Sequence, residues 1–96
     1  MIFPSGFKIM TYRAAARIEG WNSWGSVYES NRIFEGITYP VRFENTPNYA
    51  ITIAMNTIGF ECTSISTATF NGFNAVRPND AVAPGSYSCQ VTFWGF

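Results

Sequence analysis

The sequence has no histidine, few charges, only two cysteines and no long apolar run, and each shortage closes a class of function. Without histidine the chain lacks the side chain that most often serves as a general base near neutral pH and as a metal ligand. Cys62 and Cys89 are too far apart for a CxxC motif and have no histidine to complete a zinc site, so neither a metal nor a cofactor is expected. Six basic and six acidic residues give a formal net charge of zero, with no basic stripe to neutralise phosphates, so nucleic acid is not an expected partner. No apolar stretch approaches the ~20 residues that span a bilayer, so membrane insertion is not expected either. No basic segment followed by an apolar core precedes the small-residue run Ala14-Ala15-Ala16, which makes a signal peptide a poor fit.

What the chain does hold is apolar and aromatic. Its 96 residues suit one domain spanning 1–96, with 47% hydrophobic, 18% aromatic and only 12% charged residues, the last about half the ~25% of an ordinary soluble chain. From residue 45 to the end the charges are Glu61, Arg77 and Asp80 alone, in a stretch rich in Asn, Ser and Thr. A short chain with no net charge and this many aromatics gains by burying them between subunits, and closed cyclic symmetry does so without leaving an exposed sheet edge. A homotrimer is the expected assembly.

Apolar residues alternate through Ile37, Tyr39, Val41 and Phe43, through Tyr49, Ile51, Ile53 and Met55, and through Tyr87, Cys89, Val91 and Phe93. That period of two puts each set on one face of a strand. Residues 58–70 read as a further strand with a bulge near Gly59, and Asn71-Gly72 as a hairpin turn that sends 73–77 back antiparallel. Residues 7–18 read as a long strand with some helical character at the alanines, and 26–28 as a short one. Pro78-Asn79-Asp80 and Pro84-Gly85 bracket a loop before the last strand. The expected fold is all-β, a small antiparallel β-sandwich of six to seven strands. Strand-like sequence begins within a few residues of Met1, so residues 1–19 are expected to serve as a lead-in strand from an upstream shaft. Each cysteine lies in a strand-like run; both read as small buried residues, a disulfide between them remaining open to neighbouring strands.

The run GITYPVRFENTPNYAITI, with Tyr39-Pro40, Phe43 and Pro47 at its marked positions, resembles the C-terminal domains of phage tail fibres. Ser23 to Val27 in SWGSV, the Gly72-Phe73 pair and the closing VTFWGF agree with that pattern, so the resemblance covers roughly residues 21–96. The same outline is similar to that of the H-type lectins, small trimeric β-sandwiches that bind sugars. Both resemblances imply a homotrimer with a binding role, and they imply a core or interface place for Trp24. Where those lectins present an aromatic residue and a polar partner to the sugar, this chain has Arg77-Pro78-Asn79-Asp80.

Candidate ligand residues follow from chemistry. Trp21, beside Asn22, offers an aromatic face to the apolar side of a pyranose. Arg77, Asn79 and Asp80 can direct charge-assisted hydrogen bonds to hydroxyls. Glu19, Glu29, Glu35, Glu44 and Glu61 supply carboxylates, yet glycoside hydrolysis needs two across a cleft at a fixed separation, so no catalytic residue is assigned and the chain is not expected to be an enzyme. Tyr12, Tyr28 and Tyr49 read as packing residues with wet hydroxyls. The resemblance implies a receptor-binding tip of a tail fibre, made in the bacterial cytoplasm and carried in the virion. Its partners would be the fibre shaft and a bacterial surface polysaccharide or protein; the alternative is a trimerisation cap with no ligand of its own.

Overall fold

The computed structural model describes residues 1–62 and 64–96, and among them strands and turns are the only regular structure. The strands are β1 (Lys8–Ile18), β2 (Trp21–Trp24), β3 (Val27–Ser30), β4 (Ile37–Thr38), β5 (Asn48–Ile53), β6 (Gly59–Cys62), β7 (Thr69–Phe70), β8 (Phe73–Arg77) and β9 (Gly85–Gly95). Seven have four residues or more; β4 and β7 have two each. All pairings are antiparallel: a three-stranded sheet in the order β1-β9-β5, a four-stranded sheet in the order β2-β3-β8-β6, and the small ribbon β4-β7.

Alternation explains the first sheet. Ala16 and Ile18 of β1 and Cys89, Val91 and Phe93 of β9 are buried, while Thr11, Arg13, Ala15 and Ser88 face out, because a strand with one buried face must carry its apolar residues at every second position. The opposing sheet contributes Phe73 and Ala75 to the core. Phe70, at the end of the small ribbon, stands between the two sheets with its ring 5.1 Å from Phe93 and 6.5 Å from Phe73, in the offset and edge-on geometries that aromatic rings prefer. The alanines of β1 pair with β9 in strand geometry without interruption.

Three expectations change. Residues 37–43 are not one strand: pairing stops at Thr38, since Pro40 has no N–H to continue a ladder. Tyr39 and Phe43 are nevertheless buried, held by amide bonds to the carbonyls of Ala68 and Thr67, while Val41 is turned out to solvent. Residues 58–70 divide into β6 and β7, because the Ser66 hydroxyl accepts the amides of Ala68 and Thr69 and folds that stretch into a turn; the middle of the expected strand, at Thr63, lies outside the described residues. Asn71-Gly72 is a turn with Gly72 at φ +86°, but it links β7 in one sheet to β8 in another. β8 does run antiparallel to the start of the preceding segment, Gly59 opposite Val76 and Cys62 opposite Phe73.

Lys8 lies opposite Gly95 and Ile18 opposite Gly85. Both chain termini are therefore at one end of the β1–β9 ribbon, and residues 19–21 and 78–84 are at the other.

Candidate functional site

At the end remote from the termini, β2, β8 and the 78–84 loop bring three of the five expected ligand residues together. Trp21 opens β2 after the Glu19-Gly20 corner, and its indole N–H donates to the Val82 carbonyl at 2.9 Å. Arg77 ends β8 on the inward side, only 7% exposed, with its guanidinium 5.9 Å from the centre of the Trp21 ring. One Nη donates to the Asn56 carbonyl and the other to Asn79 Oδ1 at 3.2 Å. The same Oδ1 accepts the Ala81 amide at 3.0 Å, closing the turn after Pro78. Trp21, Arg77 and Asn79 thus form one cluster, joined by the Arg77–Asn79 bond and the guanidinium–indole contact and anchored on the Asn56 and Val82 carbonyls, while the buried Arg77 Nε has no hydrogen bond among the described residues.

Asn22 and Asp80 stand apart from this cluster and are exposed. Successive residues of a strand point to opposite faces, so Asn22 shares the outer face of the second sheet with Trp24, which is 51% exposed, and with Glu29 opposite it. The β2–β3 turn projects beyond Arg77, since Tyr28 is the residue opposite Arg77 and Val27 to Trp24 continue outward. The remote end therefore presents Asn22, Trp24 and Asp80 on a base locked by Trp21 and Arg77.

The carboxylates do not face each other across a cleft. Glu29 and Glu61 approach over β8 on the outer face of the second sheet, where burial first, and then the Glu61 carboxyl, push Glu29 above its ordinary 4.5 while Arg32 pulls it down. Neither residue lines the two hollows formed beside β5 and beside β1. Both cysteines are free. Cys62 belongs to the second sheet and Cys89 to the first, where burial pushes its thiol up to about 11 and leaves it a core residue.

Two hollows lie elsewhere. One, of about 290 Å³, sits where β5 ends, beside Arg13, Thr52, Ala54, Ser88 and Gln90. There the Arg13 guanidinium donates to Gln90 Oε1 at 2.6 and 3.0 Å. The other, of about 400 Å³, lies between β1 and residues 35–40, with Met10, Tyr12, Glu35, Thr38, Tyr39 and Phe93 in its wall. Reading the sequence as strands missed the second hollow, because residues 35–40 bring its wall together only once pairing stops at Pro40. The Tyr39-Pro40 dipeptide was the one local signal for it.

Fold and site together define a small all-β module with Trp21, Arg77 and Asn79 gathered at one end. Comparison with family models, with curated proteins and with solved structures finds no match to this chain.

Proposed function

We propose that this chain is the receptor-binding tip domain of a phage or prophage tail fibre, a homotrimeric adhesion module that holds a bacterial surface glycan and performs no chemistry. The observation that carries the reading is the polarity of the molecule. Both termini are at one end, where a fibre shaft would join, and exposed Asn22, Trp24 and Asp80 crown the other on a rigid aromatic–guanidinium base. Neutral polar residues suit a sugar, whose hydroxyls take directed hydrogen bonds while a pyranose face rests on an indole. Three weak sites on one rigid tip multiply into avidity when the receptor is a repeating polymer. A trimerisation cap is the second reading, supported by the engagement of Trp21, Arg77 and Asn79 in contacts within the chain.

The test is retention of the labelled chain on a panel of bacteria with intact and with stripped surface polysaccharide. Retention on intact cells, lost on stripping and reduced about tenfold by Asn22→Ala combined with Asp80→Ala, is expected. Retention by no strain, with a mass of three chains in solution, selects the cap. Retention that survives stripping moves the receptor from glycan to protein.

A further inference from the structure

The 400 Å³ hollow between β1 and residues 35–40 combines three features that no packing requirement explains. Tyr39 in its wall is 6% exposed, and its hydroxyl is buried with no hydrogen-bond partner among the described residues. A buried hydroxyl is ordinarily paired, and this one, with almost no accessible surface, is closed off from the hollow that Tyr39 helps to wall. Tyr12, on the β1 side, keeps 41% of its surface although its ring meets Phe34 edge-on at 4.9 Å. Phe34 is the one non-glycine residue with positive φ among the described residues, at +58°, a conformation that a bulky side chain adopts only when its surroundings impose it. Its ring is held between Tyr12 and Phe73, at 4.9 and 5.9 Å, and that strained corner sets the exposed Glu35 at the mouth of the hollow.

The chemistry of the wall selects the ligand. Aromatic and aliphatic groups from Met10, Tyr12, Tyr39 and Phe93 accompany the hydroxyls of Thr11 and Thr38, and the single charge is the Glu35 carboxylate. An anion has no cation to meet there. A ring with one apolar face and several hydroxyls meets both kinds of wall, and the volume falls in the range of small-ligand sites. We propose that this hollow is a saccharide site, in which Tyr12 carries the apolar face of a neutral pyranose while Glu35 and Thr38 bind its hydroxyls. The inference rests on the glycan-adhesion reading and adds a second sugar contact, on the flank of β1, to the one at the remote end.

The experiment is an amide-detected NMR titration of the full chain with methyl glycosides of neutral hexoses, 6-deoxyhexoses and N-acetylhexosamines, with methyl glucuronide as the acidic control. At least one neutral glycoside is expected to shift the amides of residues 10–12 and 35–39. Its affinity should fall about tenfold in Tyr12→Ala and in Glu35→Gln. Shifts confined to Asn22 and residues 78–84 overturn the flank site and leave the adhesion reading standing. Glucuronide bound as tightly as the neutral glycosides, or no shift with any glycoside, also overturns it. Retention by no strain in the preceding assay removes the adhesion reading itself, whatever the titration shows.

Discussion

An arginine that keeps only 7% of its surface has given up most of its hydration, and the loss is tolerable because fixed acceptors and an aromatic face replace the water. At Arg77 those are the Asn56 carbonyl, Asn79 Oδ1 and the Trp21 ring. Arg77→Met keeps much of the volume but takes the donor from the Asn56 carbonyl and leaves Asn79 Oδ1 with the Ala81 amide alone, so a loss of about 2–4 kcal/mol is expected in urea unfolding. Arg77→Lys should lose roughly half as much, because an ammonium cannot span both acceptors as a planar fork does. A cost below about 1 kcal/mol for Arg77→Met would mean that the 78–84 loop is held by something else. Glu29 shows the opposite electrostatics. Its raised proton affinity means that the folded chain binds this proton more tightly than the unfolded chain, so stability falls as pH rises from about 4.5 through the raised value and returns as pH drops. Glu29→Gln should match the parent near pH 4 and exceed it by about 0.3 kcal/mol near pH 7, in urea midpoints taken at both. Equal midpoints at both pH values would show that Glu29 and Glu61 are not coupled. The meeting of Trp21, Arg77 and Asn79 was legible as a set of residue types but not as a lock, since the carbonyls that anchor it, Asn56 for Arg77 and Val82 for Trp21, are backbone groups without a sequence signature.

Between residues and sheets, the turn at Gly72 decides how the elements connect. Its φ of +86° is left-handed, and a Cβ there would overlap the Ile33 carbonyl oxygen and come within 2.8 Å of Arg32 Cδ. That carbonyl accepts the Phe73 amide at 2.9 Å, so it cannot withdraw without breaking the bridge that ties residue 33 to β8. Gly36, at φ +73°, has open space around its Cβ position. Gly72→Ala should therefore cost about 3 kcal/mol and Gly36→Ala about 1, the difference measuring the steric part apart from backbone strain. Equal losses would place the whole effect in φ. The strands β5 and β9 were readable because their apolar residues alternate toward the core, Ile51 and Ile53 half-buried and Cys89, Val91 and Phe93 buried, whereas β1 was read as a strand although its alanines also suit a helix. Residues 39–47 were not, because their buried members Tyr39, Phe43 and Pro47 recur every fourth position and Val41 between them is exposed. A chain that leaves its sheet at a proline and is pinned by isolated amide bonds has no period to read. The β6–β7 break was hidden for a similar reason: a serine hydroxyl made the turn, in a stretch whose Thr and Ile content favours strand.

For the whole molecule, area and composition give different answers. A monomer of this mass should expose about 5,500 Å², and the chain exposes 5506 Å², so its surface is of ordinary extent. Its shape is long, 46 × 23 × 20 Å, with a radius of gyration of 14.4 Å against the ~12.5 Å of a compact globule of this length. What is unusual is the chemistry of that surface at the end bearing the termini. Met1, Ile2, Phe3 and Phe96 are 78%, 52%, 39% and 49% exposed there. Phe7 links the last two, its ring 5.8 Å from Phe3 and 5.3 Å from Phe96. An apolar patch of this kind on a chain with no net charge to keep copies apart favours association, and a fibre tip would meet its sister chains at this end. Light scattering across a dilution series is expected to give a mass near three chains for the parent. Ile2→Ser combined with Phe96→Ser should shift dissociation to concentrations about a hundredfold higher, with an unchanged β-sheet spectrum showing that each chain still folds. A single-chain mass at every concentration would remove the trimer and the fibre-tip reading with it, and the terminal aromatics would then need another partner. A trimer that survives the double substitution would instead place the threefold contact elsewhere, with Trp24 and Ile58, 51% and 61% exposed, the next surfaces to change.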